Sequence, residues 1–427
     1  MRIIILNQYF YPDHSATSQL MTDLAESLVQ KGIAVTALAG RGRYNGGEKL
    51  LPYEQHQGVK IERAWATSFG KRNLLGRLAD YLSFYLGAFW KLLRLPKHDI
   101  VMALTTPPLI GMVALGIGHM RGMRVVALVQ DVYPDVAVAL GALQANSLIT
   151  RMLDKLNRFV LGGADRVIVL GECMRELIAE KIGQDKHSRI DVIHNWADGA
   201  QLKPANDSQN PFTLEHELSD KFVVLFSGNL GHVNEFATVL EAALLLHKRP
   251  DVVFLFIGEG AKREEIATFI DKHKLTNVRL LPYQARHLLG HSLSAGDALL
   301  VTLAEGLAGL SVPSKTYGIL AAGRPVLFVG DLKSDAARIV KENDCGAIVA
   351  SGESQQLAQI IAEWAADKMK IAELGAKARS LFEAQFSREL AVNSYLKTFA
   401  KCLNVEPQAL TSAATDTTKI KAFRAER

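Results

Sequence analysis

Short apolar, β-branched runs recur almost from end to end of this chain, and stretches with helical periodicity lie between them. That alternation predicts parallel sheets whose strands are joined by crossover helices. Strands are expected at 3–6, 35–39, 100–104, 125–129, 167–170 and 191–193, then at 222–227, 252–257, 278–281, 298–302 and 326–329. Helices are expected between them, for instance over 17–31 and 236–247. A polar stretch at 203–220, with Pro204, Asn206, Asp207, Ser208, Asn210 and Pro211, divides the pattern into two similar halves and reads as a linker. At 427 residues the chain is too long for one core and suits two doubly wound α/β domains. The expected division is 1–203 and 204–380, then a C-terminal helix at 381–403 packing back on the first domain and a flexible tail at 404–427. Two such sheets facing across a cleft would bring both sets of strand C-termini to it, where open α/β sheets bind ligands.

Composition bounds the function. Apolar residues make up 48% and charged residues 22%, as in a folded protein and not a disordered one. The formal net charge of +5 is modest for the length and implies no nucleic-acid partner. Its distribution is uneven: ten Lys or Arg fall between Lys60 and Arg124 against Glu62, Asp80 and Asp99. Cys173, Cys345 and Cys402 are far apart, which fits a reducing, cytoplasmic setting without a disulfide framework. The opening Met-Arg-Ile-Ile-Ile-Leu is too short for a signal peptide and reads as a buried strand. Residues 100–120 lack Asp, Glu, Lys and Arg and are long enough to cross a bilayer. Thr105-Thr106-Pro107-Pro108 breaks that run, so a strand and a helix starting at the prolines are expected instead.

The most specific run is Ser311-Val312-Pro313-Ser314-Lys315-Thr316-Tyr317-Gly318-Ile319-Leu320-Ala321-Ala322-Gly323-Arg324-Pro325-Val326. Pro313 and Ser314 are expected to start a short helix, Gly323 to end it, and Pro325 to lead into a strand. A helix start offers free N–H groups to a phosphate, and a lysine in that turn opposes the dipole unless an anion is usually bound. Ser227-Gly228-Asn229-Leu230-Gly231 follows one strand, Ile257-Gly258-Glu259-Gly260 ends the next, and Pro282-Tyr283-Gln284 follows a third. Small residues at such turns let a diphosphate approach the backbone.

In this order the pieces resemble the nucleotide-binding half of family 4 glycosyltransferases with the GT-B fold, and the likeness runs to about Phe399. The chain is similar to bacterial cell-surface polysaccharide transferases of the colanic acid and O-antigen type, which act on lipid-linked acceptors. The resemblance implies two Rossmann-like domains, the first for the acceptor and the second for a nucleotide-diphosphate sugar. It implies a hexosyltransferase-type activity at the inner face of the cell membrane. Lys315 would neutralise the donor diphosphate, with Ser314 beside it. Gly228, Asn229, Gly231 and Gly258 would approach the diphosphate from the facing loops, and Tyr283 would flank the base. Two glutamates separated by seven residues are usual around this motif; Leu310 and Gly318 stand there in this chain, and Glu305 is nearby at the wrong spacing.

On the acceptor side, Val129-Gln130-Asp131-Val132-Tyr133-Pro134-Asp135 follows a strand. Gln130 stands where similar proteins often have a histidine and cannot act as a base. Asp131 either orients and deprotonates the acceptor hydroxyl or caps the following turn. The first strand-to-helix loop adds Tyr9, Asp13, His14, Ser15 and Ser18 as acceptor-facing groups, with His14 an alternative base. The chain contains no Asp-x-Asp pair, so a metal-independent site is expected, with no cofactor beyond the donor substrate. Two rivals stay open: a nucleotide-sugar epimerase on the same scaffold, and a non-catalytic nucleotide-sugar-binding partner protein, suggested by Leu310, Gly318 and Gln130.

Residues 74–95 form an aromatic, amphipathic helix edged by Lys71, Arg72, Arg77, Lys91, Arg94 and Lys97. The segment 71–97 is read as a peripheral contact with an anionic bilayer, against the alternative of a core helix with a solvated rim. His287 and His291 have a zinc-like spacing but no third ligand, and read as a solvated helix face. Gly40-Arg41-Gly42-Arg43-Tyr44-Asn45-Gly46-Gly47 misses the dinucleotide glycine spacing and reads as a mobile loop beside the acceptor site.

Overall fold

The structure, a computed structural model, describes residues 1–44, 46–67, 69, 74–202, 204, 210–285 and 288–412. They divide into two compact units, one made of Met1–Val138, Leu143–His194 and the chain from Glu389, the other of Ala139–Ala142 and Asn195–Arg388.

The first unit is built on eight strands, β1 (Arg2–Leu6), β2 (Ala34–Gly40), β3 (Tyr53–His56), β4 (Val59–Ala64), β5 (Ile100–Leu104), β6 (Arg124–Leu128), β7 (Arg166–Val169) and β8 (Ile190–Val192). Their order is β3-β4-β2-β1-β5-β6-β7-β8, parallel throughout except for the β3–β4 pair. Its helices are α1 (Ala16–Gln30), α2 (Leu74–Arg94), α3 (Gly111–Met120), α4 (Asp135–Ala139), which runs one residue past this unit's Val138 boundary, α5 (Leu148–Gly163) and α6 (Glu172–Ile182). Ile3, Ile4 and Ile5 of central β1 are buried on alternate faces, each contributing about 2 kcal/mol of burial. Strand order reverses between β1 and β5, so the loops after these strands border the switch point where such sheets bind ligands.

The second unit contains α7 (Pro211–Glu215), α8 (Ala237–Leu245), α9 (Arg263–His273), α10 (Leu289–Ser294), α11 (Lys315–Ala321), α12 (Asp335–Glu342), α13 (Ser354–Ala366) and α14 (Lys368–Leu381). Six parallel strands carry them: β9 (Phe222–Ser227), β10 (Val252–Ile257), β11 (Val278–Leu281), β12 (Ala298–Leu303), β13 (Val326–Gly330) and β14 (Gly346–Val349), in the order β11-β10-β9-β12-β13-β14. Phe226, Phe236 and Phe256 meet edge to face in its core, with ring centres 4.9 Å and 5.7 Å apart along the chain through Phe236. Two parallel-sheet, Rossmann-like units are thus present, as the alternation of strands and helices predicts.

Some boundaries differ from expectation. The chain enters the second unit at Asn195, because Trp196 and Leu202 are already buried there and Arg379 donates to the Leu202 carbonyl at 2.9 Å. Of the stretch read as a linker, 203 and 205–209 lie outside the described residues, and the rest includes α7. The helix expected from Pro107 begins instead at Gly111, after a turn in which Leu109 adopts φ +65° and the Tyr85 hydroxyl donates to the Pro108 carbonyl. Beyond Arg388 come α15 (Arg388–Leu403), whose Lys401 bonds Asp191 of the first unit's β8 at 2.9 Å, and α16 (Pro407–Ser412). The expected tail therefore starts with a helix, and its remainder, 413–427, lies outside the described residues.

Candidate functional site

In the second unit, β9 and β10 end in the two glycine turns, and these are laced backbone to backbone. Gly228 N–H donates to Ile257 O and Leu230 N–H to Glu259 O, each at 2.9 Å. A Cβ on Gly258 would stand 1.9 Å from the Gly228 carbonyl oxygen, at φ +148°, so only glycine fits. Asn229 is exposed at the tip of the first turn and Gly231 is buried in it. Tyr283 lies half exposed beside the second turn, its hydroxyl donating to Glu259 O at 3.3 Å.

Helix α11 starts at Lys315, with Ser314 at its N-cap making no side-chain cap bond. Gly323, at φ +63°, follows its end, and β13 begins three residues on. The Lys315 stem runs beside the first glycine turn, since a Cβ on Gly228 would be 3.6 Å from its Cε. Its ammonium lies 3.5 Å from the centre of the Phe226 ring and donates to Asn234 Oδ1 at 3.2 Å. Burial pushes the Lys315 pKa down to about 7, and no carboxylate is among the causes. The ring face supplies about 1 kcal/mol of attraction, far less than the water it replaces. Such a cation is short of negative charge, and a bound anion would restore it.

Leu310 is packed inside the unit, Gly318 has no side chain, and Glu305 is exposed. Asp331 holds the preceding loop by accepting from Gly306 N–H at 3.1 Å and Ala308 N–H at 3.3 Å. Asn234 and Thr302 are functional candidates that sequence reading missed: both are buried, and Thr302 Oγ1 donates to Asn234 Oδ1 at 3.1 Å. An asparagine closing a glycine-rich turn was the available signal.

In the first unit, the loops after β1, β5 and β6 meet at the switch point. Gln8 N–H donates to Thr106 O at 3.0 Å, and Thr105 Oγ1 accepts from the backbone N–H of Gln130 at 3.1 Å and of Asp131 at 3.4 Å. Gln130 is 7% exposed and its Nε2 has no partner, as is true of Gln8 Oε1, Asn7 Oδ1 and Ser15 Oγ. Unsatisfied buried polar atoms are costly, and four of them around one end of a sheet suit a polar ligand. The Asp131 carboxylate lies near two phenols: burial first and then Asp131 hold Tyr133 above the ordinary phenol range, while Tyr44 is raised by burial, Asp13, Tyr81 and Asp131. Tyr9 is raised by burial, Tyr81, Asp13, Tyr44 and Asp80. These phenols stay protonated near neutrality and can donate to a ligand oxygen. The tyrosines come from separate loops and from α2, and only Tyr9 was singled out by sequence.

Other acceptor-side candidates have structural work. Asp13 is buried, accepts from Ser15 N–H at 2.9 Å and Tyr44 N–H at 2.6 Å, and so ties the β1 loop to the β2 loop. Ser18 is buried and donates to Asp13 O at 3.2 Å. His14 is exposed at the start of α1, its carbonyl accepting from Gln19 Nε2 at 2.8 Å. Asp13 and Ser18 thus brace the loop, while the exposed His14 side chain stands one residue before Ser15 of the polar cluster. Asn45 of the glycine-rich loop lies outside the described residues.

Helix α2 has two apolar faces. Phe84, Ala88 and Leu92 are buried in the core, whereas Leu82 and Leu86 are 61% and 62% exposed and continue a stripe through Leu75, Leu78, Phe89 and Trp90. Lys91 pairs with Glu62, and the Arg94 guanidinium stands 5.8 Å from the Trp90 ring centre. Residues 71–73 of the proposed contact lie outside the described residues. No helix among the described residues is long and apolar enough to cross a membrane, and 100–120 forms β5 and α3. His287 lies outside the described residues, and none of those described form a group of three metal-ligating side chains.

Comparison with known proteins agrees across both units. The profile "Glycosyl transferase 4-like domain" matches residues 17–196 and "Glycosyl transferases group 1" matches 212–381. A probable glycosyltransferase of Pseudomonas aeruginosa, WbjE, is 32% identical over 407 residues, covering 94% of this chain and 97% of its own. The putative colanic acid biosynthesis glycosyl transferase WcaI of Escherichia coli (strain K12) is 22% identical over 351 residues, covering 79% and 86%. Among solved structures, Anabaena Alr3699/HepE in complex with UDP and glucose superposes with a TM-score of 0.71 at 16% identity, over 94% of this chain and 99% of that one. That last likeness concerns the fold. None of these comparisons supports the epimerase alternative.

Proposed function

The chain belongs to the glycosyltransferases that join a 4-like domain to a group 1 domain, and from that premise we propose that it moves a hexosyl group from a nucleotide-diphosphate sugar to a lipid-linked or glycan acceptor. The setting is assembly of a bacterial cell-surface polysaccharide, in keeping with the name of WcaI.

The observation that carries this reading is Lys315: a desolvated ammonium beside two glycine turns, with an amide oxygen and a ring face in place of a counter-ion. Breaking the bond from the anomeric carbon leaves its electron pair on the diphosphate, and stabilising that charge is the largest electrostatic demand of the reaction. Lys315 meets it from the second unit, with Gly228, Asn229, Gly231 and Gly258 at the turns, Ser314 at the start of α11, and Tyr283 beside the base. In the first unit, Asp131 takes the acceptor proton or orients its hydroxyl, and Gln130 and Ser15 bind the acceptor. We read the site as needing neither metal nor cofactor. The exposed stripe of α2, edged by Arg77, Lys91, Arg94 and Lys97, supports a peripheral contact with the inner, cytoplasmic face of an anionic cell membrane.

A thermal-shift screen of nucleotide-diphosphate sugars on wild type and Lys315→Ala tests the reading. A donor at about 100 times its dissociation constant adds about 2.7 kcal/mol of stability. One donor should stabilise the wild type and not the variant, and that donor should then turn over with mixed acceptors. No shift with any donor, or an equal shift in both proteins, counts against the assignment.

A further inference from the structure

We propose that Asn234 is the positioning residue of the donor site, its side-chain oxygen holding the Lys315 ammonium where the glycine turns receive a diphosphate. The inference rests on the reading of Lys315 given above.

The orientation of the Asn234 amide follows from its partners. Its Nδ2 donates to the carbonyls of Asn229 at 3.0 Å and Gly231 at 3.1 Å. Carbonyl oxygens only accept, so the NH2 must face them and Oδ1 must face the two donors on the other side, Thr302 Oγ1 at 3.1 Å and Lys315 Nζ at 3.2 Å. Asn234 is 2% exposed and Thr302 1%, so water does not compete for these bonds. The backbone is held as well: Asn234 O accepts from Lys262 Nζ at 2.8 Å, and Val233 O from Ala304 N–H at 2.9 Å. Three chain segments, the first glycine turn, the end of β12 and the start of α11, therefore converge on one amide.

An amide suits this place better than a carboxylate. A carboxylate would turn lone pairs toward the Asn229 and Gly231 carbonyls and would pair with Lys315, cancelling the charge the diphosphate needs. A neutral acceptor aims the ammonium and leaves its charge available. The other titratable groups on the surrounding elements include His232 and Glu235 beside Asn234, Glu259 on the second turn with its partner Arg263, Lys262 before α9, Glu305 after β12 and Tyr317 on α11. None is among the causes that move Lys315 from its ordinary value.

The test follows the Lys315 Cε resonance in [13C]lysine-labelled full-length protein, identified by its absence in Lys315→Arg. Dimethyl pyrophosphate serves as a base-free probe whose charge is constant across neutral pH. Asn234→Ala should lower the titration midpoint of Lys315, and Asn234→Asp should raise it. Both should weaken the probe about tenfold or more. The two variants lose the same bonds to Asn229 and Gly231, so opposite movement of the midpoint is what mere bracing of the loop does not give. Midpoints that stay put, or move together, overturn the proposal, and Asn234→Ala alone decides it where the aspartate variant does not fold. A wild-type signal that ignores the probe defeats the diphosphate reading itself. A responsive wild type with unaltered variants defeats only the role of Asn234.

Discussion

Donor binding should weaken steeply above neutral pH, and Lys315 sets the amount. In the free protein its pKa is about 7, against an ordinary value of 10.5. A bound diphosphate supplies the missing negative charge and returns the group toward that ordinary value. The free form then sheds its proton near pH 7 while the complex keeps it, so binding takes up a proton throughout the window between the two values. At pH 8 the uptake is about 0.9 proton per donor bound. Between pH 6 and pH 9 the apparent affinity falls by about 100-fold, or about 2.7 kcal/mol. A nucleotide sugar is a pyrophosphate diester and does not itself titrate in this range, so the change belongs to the protein. Isothermal titration calorimetry in buffers of differing ionisation enthalpy reads both affinity and proton uptake. An affinity that is flat from pH 6 to pH 9, with no proton taken up, would refute the account of Lys315 as a desolvated cation awaiting its anion.

Asp131→Asn should lower kcat by at least about 100-fold with little change in donor KM, and a KM effect alone would remove Asp131 from the chemistry. Gly258→Ala should destabilise the protein by about 3 kcal/mol in urea unfolding, since its Cβ would overlap the Gly228 carbonyl at a backbone angle that alanine avoids. Leu82→Glu combined with Leu86→Glu should abolish flotation with phosphatidylglycerol vesicles while leaving the melting temperature within about 2 °C, and retained flotation would discard the α2 surface.

The strands most legible in the sequence are those buried on both faces, where apolar residues run without interruption, as in Ile3-Ile4-Ile5 or Val252–Ile257, although the edge strands β8 and β11 were apolar enough to be read as well. Those that escaped are edge or near-edge strands. β3, Tyr-Glu-Gln-His, is mostly polar, and β14 is short and half-buried. β4 alternates Val59, Ile61 and Arg63 with Lys60 and Glu62, and Arg63 looks like a surface residue although it is 2% exposed. Its Nη1 donates to the Leu51 carbonyl and its Nη2 to the Tyr11 carbonyl and Glu54, contacts that exist only once the loops have folded. The same rule governs the site. Lys315 stood out because it lies in a specific Pro-Ser-Lys run at the start of a helix, a signal carried by adjacent residues. Asn234 did not, because its meaning depends on Thr302, 68 residues away, and Lys315, 81 residues away. The bracing bonds of Asp13 and Ser18 were likewise invisible in the sequence, since they form only in the folded loop.

On the proposed reading, the lacing of the two glycine turns would divide the labour of donor recognition. Gly228 and Gly258 meet backbone to backbone, and Gly258 cannot acquire a side chain without parting the turns. If the turns seat the diphosphate as proposed, selection among donors falls to positions outside that lacing, such as Tyr283, which borders the second turn with its hydroxyl on Glu259 O at 3.3 Å. On that reading a change of nucleotide base would be accommodated there while the backbone seat for the departing diphosphate stays the same.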